Sequence, residues 1–174
     1  MTPHTPLSTR AATAQALALQ VLADAETSRS LDALVDLAVA RIGADGGQVS
    51  VLTDRLVALC VQGTLADGVP DGTELPFEET MCAYALHTDD AVVIPDAHAD
   101  QRVAGVGAVV AGAVGAYLGV PVRTPDEQLV AVLCVYCREP REWTAAEQAD
   151  MTALAEQVAA ELVRRVPAGA GSGI

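Results

Sequence analysis

The chain has 174 residues, of which 51% are hydrophobic, 3% aromatic and 19% charged, so it is not a disordered chain and its length suits one domain. With 23 acidic and 10 basic residues its net charge is -13, which would repel nucleic acid or an anionic membrane over most of the surface. Residues 1–10 have no apolar core of the kind found in signal peptides. We therefore expect a cytoplasmic protein without a nucleic-acid or membrane partner.

The N-terminal part of the chain predicts two helices. Residues 1–8 are expected to be mobile, and residues 9–26 have the pattern of a first helix. Residues 31–42 carry a regular apolar stripe and predict a second helix, with Ser28 or Ser30 as its N-cap. Glycines from residue 43 to residue 47 end this helix.

The next segment has the pattern of a β-hairpin. Residues 48–53 and 56–62 predict two strands that are joined by a two-residue turn, Asp54-Arg55. Residues 63–76 follow as a loop rich in Gly, Asp and Pro. Residues 77–88 then predict a short helix, whose acidic first turn is favourable to the helix dipole.

The middle of the chain contains twenty residues without a charge. Residues 91–94 predict a short buried strand, and residues 95–102 a polar loop. The uncharged run, residues 103–122, is long enough to span a bilayer, but it contains five glycines and a proline. We expect it to be divided into a weak helix, residues 103–113, and a strand, residues 117–123.

The clearest pattern lies between residues 115 and 147. The strand over residues 117–123 is followed by Thr-Pro-Asp-Glu-Gln, in which Pro125 suits the second position of a type I turn. Residues 129–137 form a continuous apolar run that predicts a strand covered on both faces. Thr144 and Glu147 form the pattern of a capping box, which predicts a closing helix over residues 144–166.

The order of these elements predicts an α+β fold with a mostly antiparallel sheet of five to six strands. We assign residues 1–29 to an N-terminal extension with its helix and residues 30–166 to the main domain. Residues 167–174 are expected to form a flexible tail.

Five segments also resemble the GAF domain family. They are Ala-Tyr-Leu-Gly-Val-Pro-Val-Arg-Thr-Pro-Asp, Val-Leu-Cys-Val-Tyr and Pro-Arg-Glu-Trp-Thr, with Thr-Met-Cys-Ala-Tyr and Val-Val-Ile-Pro-Asp-Ala upstream. The resemblance covers roughly residues 30–166 and implies a GAF-like, PAS-related fold, with terminal helices on one face of the sheet and a ligand cavity on the other. The chain departs from the family pattern at Glu127 and Ala131, where Gly is frequent, and at Cys137, where Asp is frequent.

The resemblance also implies a function and a set of cavity residues. It implies a non-catalytic sensory or regulatory domain that binds a small molecule and signals through a partner protein. By position in the motif, the cavity residues are Phe77, Met81, Cys82, Asp96 and Tyr117. The sequence does not identify the cofactor or ligand.

Two alternative functions stay open. The small residues between positions 103 and 116 could fill the cavity, which would leave an interaction or dimerisation module with an empty pocket. The other alternative is a thiol enzyme, such as a free methionine sulfoxide reductase. The cysteine spacing does not match the cluster expected for that enzyme, and no common catalytic motif occurs.

The four cysteines are expected to be reduced and non-catalytic. Cys134 and Cys137 match C-x-x-C, but in a strand their odd separation places them on opposite faces, with Cα atoms roughly 10 Å apart. A structural zinc site would need a second pair of ligands at motif spacing, and the sequence has none. Cys82 has the position of a bilin attachment site in some GAF domains, but the neighbouring residue is Ala83 rather than His.

Two further candidates are ligands for a metal or haem. Asp96, His98 and Asp100 alternate, so an extended backbone would direct all three to one side and could hold a divalent metal. We favour a solvated loop in which Asp96 braces a turn. His87 is a possible haem ligand, but its acidic surroundings favour a simple cation at a helix end.

The terminal helices predict a homodimer. The closing helix carries further alanines outside one continuous apolar stripe, which consists of Met151, Leu154, Ala155, Val158, Leu162 and Val166. The first helix carries a second stripe that needs its own cover. Pairing the first and last helices of two copies would bury both, whereas a first helix that packs on its own chain would leave a monomer.

Overall fold

The computed structural model describes residues 8–65 and 68–164. The helices are α1 (Thr9–Ala23), α2 (Ala25–Ile42), α3 (Gly107–Val110) and α4 (Ala145–Val163). The strands are β1 (Gly46–Leu52), β2 (Leu56–Gly63), β3 (Glu74–Leu75), β4 (Val92–Ile94), β5 (Ala116–Arg123) and β6 (Leu129–Cys137). Two 3₁₀ segments, Phe77–Glu79 and Cys82–His87, lie between β3 and β4. The expected mobile N-terminal residues, apart from Ser8, and the expected tail lie outside the described residues.

The six strands form one antiparallel sheet in the order β3-β2-β1-β6-β5-β4. This arrangement confirms the predicted α+β fold. Strand β6 agrees with the predicted run residue for residue, and all nine of its residues are buried. It pairs with β1 on one edge and β5 on the other, so it is the centre of the sheet.

The two faces of the sheet carry separate apolar cores. Helices α1, α2 and α4 cover one face. The 3₁₀ segments, α3 and the loops around them cover the other. Along β6, Cys137 packs with the helices, whereas Cys134 and Tyr136 lie in the opposite core. The predicted placement of Cys134 and Cys137 on opposite faces is therefore confirmed.

Helix α2 begins earlier than the sequence predicted. The side chain of Asp24 accepts hydrogen bonds from the Glu26 backbone N–H at 3.1 Å and from the Thr27 hydroxyl at 2.7 Å. These contacts satisfy donors of the first turn, so Asp24 is the N-cap and Ser28 and Ser30 lie inside the helix. The prediction of Ser28 or Ser30 as the N-cap was wrong because the Asp24 carboxylate, four residues before Ser28, accepts these hydrogen bonds.

The predicted helices on the cavity side of the sheet are shorter than expected. Thr80 has extended backbone angles, φ -132° and ψ 150°, which divide the predicted helix over residues 77–88 into two 3₁₀ segments. The predicted weak helix over residues 103–113 is reduced to α3, because Gly105, Gly107 and Gly112 disfavour helix in its interior and ends. The hairpin turn has three residues between β1 and β2, rather than two.

Helix α1 belongs to the main core. Its apolar residues Ala14, Leu17 and Val21 are buried in the helix-side core, and the Arg10 guanidinium donates to the backbone carbonyls of Leu52 and Thr53. The α1 stripe is thus covered by its own chain, which removes this reason for pairing two copies. Homodimerisation itself stays a prediction.

The uncharged run over residues 103–122 is divided between α3 and β5, as the sequence predicted. Among residues 8–65 and 68–164, no helix combines the length and the hydropathy that crossing a bilayer requires.

The turn between β5 and β6 contains a strained residue. The Glu127 N–H donates to the Thr124 carbonyl at 2.9 Å, which closes a turn with Pro125 in its second position. Glu127 follows with φ 65°, in the left-handed region that favours glycine. Gly is frequent at this position in the pattern that the sequence resembles, and Glu is less suited than Gly to this backbone conformation.

We therefore expect Glu127→Gly to stabilise the protein by about 0.5–1 kcal/mol, because relief of left-handed strain exceeds the added flexibility of the unfolded chain. Urea unfolding measures the change. Glu127→Ala is the matched control, since it also removes the carboxylate but keeps the strain. A glycine variant no more stable than the alanine variant would contradict this account.

Candidate functional site

A cavity with about 130 Å³ of space lies on the face of the sheet opposite the helices. Its floor is formed by side chains from β1, β5 and β6, and its cover by Met81, Cys82 and residues of the α3 region. Among the described residues, the lining is mostly apolar. Its volume is close to that of an engineered cavity of about 150 Å³ that binds benzene, and smaller than the roughly 300–1,000 Å³ of most ligand sites. With its cover closed, the cavity therefore has room for a small molecule only.

Strand register places the floor residues in two neighbouring rows. Tyr136 of β6 lies opposite Tyr117 of β5, and Cys134 lies opposite Gly119. On the other edge of β6, Cys134 lies opposite Gln48 of β1. The first row is therefore Tyr136 with Tyr117, and the second is Cys134 with its two cross-strand neighbours. Because side chains two residues apart share a face of a strand, both rows face the cavity.

A glycine makes room for Tyr117 on the floor. A Cβ atom on Gly119 would lie only 2.3 Å from the Tyr117 hydroxyl oxygen, so the tyrosine ring lies over this glycine. Gly119 does not have a positive φ, so its role is steric. The Tyr117 side chain lies along the strand, so its hydroxyl group is next to the row that contains Cys134.

The Tyr117 hydroxyl reaches a buried cluster of thiols. It donates a hydrogen bond to Cys82 Sγ at 2.9 Å. Cys82 Sγ also lies 3.3 Å from Ser50 Oγ and 3.9 Å from Cys134 Sγ. Gln48 Nε2 donates to Ser50 Oγ at 2.7 Å, which orients the serine. Two cysteines far apart in sequence thus share one hydrogen-bonded group in the cavity wall.

This environment separates the acidities of the two thiols. The hydrogen bond with Cys134 lowers the pKa of Cys82, and the hydroxyls of Ser50 and Tyr117 add to this effect, while burial opposes it. The same hydrogen bond and burial raise the pKa of Cys134. Burial also raises the pKa of Tyr117. Of these two thiols, Cys82 is therefore the one whose surroundings favour the thiolate.

The structure brings three of the five predicted cavity residues together: Met81, Cys82 and Tyr117 line the cavity. Phe77 packs on the same side of the sheet but lies in a neighbouring surface groove with Tyr84 and His87. It is outside the cavity lining because it belongs to the first 3₁₀ segment, before the break at residue 80.

Asp96 is not among the residues that line this cavity. Its carboxylate accepts hydrogen bonds from the backbone N–H groups of His98, at 3.1 Å, and Ala99, at 3.3 Å. Asp96 therefore braces the turn after β4, which is the alternative that the sequence favoured. This turn is not extended, and Asp100 is paired with Arg102 at 2.6 Å, so the alternating metal arrangement is not formed.

Sequence reasoning missed another group of possible metal ligands. Ligand atoms of Asp32, Cys60 and Asp71 all lie within 4.8 Å of one another. Asp32 accepts from Gln62 Nε2 and Asp71 from the Val61 N–H, so both carboxylates have partners within the protein.

Sequence reasoning also missed Gln48, Ser50, Cys134 and Tyr136 as residues of the site. A signal for the first two was present, because polar residues alternate with Val49 and Val51 in a strand that is buried. Such alternation predicts one polar face on an inner strand, and that face is the cavity floor. The contact of Cys134 with Cys82 depends on tertiary packing and has no local signal.

A six-stranded antiparallel sheet with helices on one face and a small cavity on the other is the architecture of a small-molecule-binding regulatory domain. The family model for the GAF domain matches residues 26–162. The chain belongs to the GAF domain family.

Solved structures show the same fold. The GAF domain of a phosphoenolpyruvate-protein phosphotransferase from Coxiella burnetii is 18% identical, with a TM-score of 0.69, and the match covers 89% of this chain and 93% of that one. The corresponding Acinetobacter domain is 17% identical, with a TM-score of 0.67, covering 90% and 94%.

An enzyme also shares the fold. The free methionine-R-sulfoxide reductase from Neisseria meningitidis, solved with its substrate, is 17% identical, with a TM-score of 0.63, covering 91% of this chain and 93% of that one. At these identities the structural matches establish the fold alone. A search of curated protein sequences finds no match.

The position of Tyr117 over Gly119 predicts strong coupling between the two residues. Gly119→Ala should destabilise the protein by about 1–3 kcal/mol, because the added methyl group displaces the tyrosine ring. In a Tyr117→Ala background the same substitution should cost less than about 0.5 kcal/mol, since the ring is absent. Urea unfolding of the four proteins measures the coupling, and additive effects would show that the ring lies elsewhere.

Proposed function

We propose that this protein is a non-catalytic regulatory GAF domain that binds a small molecule in the cavity bounded by Met81, Cys82 and Tyr117 and signals through a partner protein. The observation that carries the proposal is the cavity itself. It lies on the face left free by the helices, and its lining combines apolar side chains with a few hydrogen-bonding groups.

The lining also narrows the class of ligand. Apolar side chains favour a small apolar body, and the hydroxyl group of Tyr117 and the amide group of Gln48 supply polar contacts in the lining. Glu79 is a lining residue, and the chain as a whole is strongly acidic. An anionic ligand would be repelled, so we propose a neutral or cationic molecule with one polar group.

The helix layer is the proposed surface for the partner. Leu19 and Leu22 of α1 are 60% and 49% exposed, and Leu37 of α2 is 40% exposed. Leu19 and Leu22 lie on the first helix, one of the two that the sequence predicted to pair in a homodimer, whereas Leu37 lies on α2. We propose that a second copy or an effector protein covers them, and sedimentation at micromolar concentration separates a dimer from a monomer.

Filling the cavity should abolish ligand binding. Ala108 lines the cavity, whereas Ala111, three residues along, is exposed. In a thermal-shift screen of small neutral and cationic molecules, a binder at a hundred times its Kd should raise the Tm of the wild-type protein by about 5–10 °C.

Ala108→Phe should lose this shift and Ala111→Phe should keep it, each measured against its own ligand-free Tm. If both variants keep the shift, the ligand binds elsewhere. If no molecule shifts the wild-type protein while the variants are stable, the alternative of an interaction module with an empty pocket is favoured.

A second candidate function is a thiol enzyme such as a free methionine sulfoxide reductase. One observation favours it: Cys82 and Cys134 are adjacent in the cavity wall although the sequence separates them. Under the leading proposal, the protein with a dithiol reductant should not turn over free methionine sulfoxide. Turnover that is lost in Cys82→Ser would replace the leading proposal with this one.

A further inference from the structure

The closest thiols in the protein lie in the cavity wall. Cys82 Sγ and Cys134 Sγ are 3.9 Å apart, and the Tyr117 hydroxyl and Ser50 hydroxyl contact the same sulfur of Cys82. We propose that Cys82 and Cys134 react with a small hydroperoxide that enters the cavity and form a reversible disulfide. This reactivity goes beyond ligand binding and does not require a bound ligand.

The other two cysteines do not share this arrangement. Cys60 lies in the helix-side core and donates to the Ser28 carbonyl at 3.8 Å. Cys137 is also in the helix-side core, with Arg141 as its neighbour at 3.9 Å. Only Cys82 and Cys134 both line the cavity, so a small oxidant in it meets these two sulfurs first.

The surroundings of Cys82 make it the attacking sulfur. Its thiolate can accept hydrogen bonds from Tyr117, Ser50 and Cys134, and these bonds lower its pKa. A thiolate is the reactive form of cysteine. The hydrogen bond with Cys82, together with burial, raises the pKa of Cys134. The pair thus places a thiol with a lowered pKa next to one with a raised pKa.

The reaction has two steps. The Cys82 thiolate attacks the terminal oxygen of the hydroperoxide, the O–O bond breaks, and the leaving alkoxide takes up a proton to become an alcohol. Cys82 is then a sulfenic acid. Cys134 attacks the Cys82 sulfur, the S–O bond breaks, and the hydroxide leaves with the Cys134 proton as water. Two thiols and one hydroperoxide give a disulfide, an alcohol and water, with two electrons transferred.

Formation of the disulfide requires the two sulfur atoms to move a short distance. A disulfide has an S–S length of about 2.0 Å, so the sulfurs must approach from 3.9 Å. Cys134 is held in β6 between β1 and β5, whereas Cys82 begins a short 3₁₀ segment. Cys82 is therefore the residue that moves. Its movement draws the cavity cover toward the sheet and changes the space available to a ligand.

The test uses the full chain, reduced and then freed of reductant. Hydrogen peroxide is added, free thiols are alkylated after denaturation, and peptides are mapped by mass spectrometry. We expect loss of two of the four thiols, a peptide pair linked through Cys82 and Cys134, and recovery of both thiols with dithiothreitol. A Cys60→Ala/Cys137→Ala control should behave as the wild-type protein does.

Single variants separate the steps. Cys134→Ser should stop at a Cys82 sulfenic acid that dimedone traps, and Tyr117→Phe should slow oxidation roughly tenfold, because one hydrogen bond to the thiolate is lost. Cumene hydroperoxide, which is bulky for the cavity, should react more slowly than hydrogen peroxide.

Four thiols remaining in the wild-type protein, or a disulfide between any other pair, would overturn the proposal. The wild-type peptide map decides this even if a variant fails to fold. Because no ligand is added, failure here leaves the proposed ligand binding standing, and loss of ligand binding in Ala108→Phe does not affect this test.

Discussion

The structure depends on a central strand that is buried on both faces. All nine residues of β6 are buried, and both of its edges are hydrogen-bonded to neighbouring strands. Side chains alternate along it, so one strand contributes to the helix-side core and to the cavity floor at the same time. A one-residue shift in register would exchange the two sets and place Leu133 and Val135 in the cavity and Cys134 among the helices. The site therefore exists only in this register.

Two glycines make room for the tyrosines that line the cavity. Gly119 leaves space for the Tyr117 ring, and Gly46 does the same for Tyr136, whose hydroxyl oxygen would lie 2.3 Å from an added Cβ. The Tyr136 hydroxyl donates to the Gln62 carbonyl, and burial raises its pKa to about 12. Throughout the part of the chain that the structure describes, every buried side-chain N or O atom has a hydrogen-bond partner. Polar groups can thus line an apolar cavity without a large desolvation cost.

Features that depend on local chemistry could be predicted from the sequence. The apolar run of β6, the turn with Pro125 and the capping box of Thr144 and Glu147 are all present in the structure. Each is determined by residues within a few positions. The start of α2 was predicted wrongly although its signal, Asp24, is local, because a serine nearer the apolar stripe was preferred as the cap.

Features that depend on tertiary packing could not be predicted in the same way. Cys82 and Cys134 meet because a 3₁₀ segment folds over the centre of the sheet, and neither sequence neighbourhood indicates the other. Asp96 was assigned to the cavity by its position in a motif, whereas its carboxylate is used by its own turn. Family resemblance thus identified the face that holds the site, and side-chain geometry decided which residues line it.

The central claim is that the face opposite the helices holds a ligand cavity between Met81, Cys82 and Tyr117. A crystal structure of the protein purified from its native host, without added ligands, tests it most directly. Difference density for a small molecule among these three residues, with Tyr117 lying over Gly119, is the predicted result. A cavity filled by the side chains of Met81 or Tyr117, with no space left for a molecule, would contradict the account.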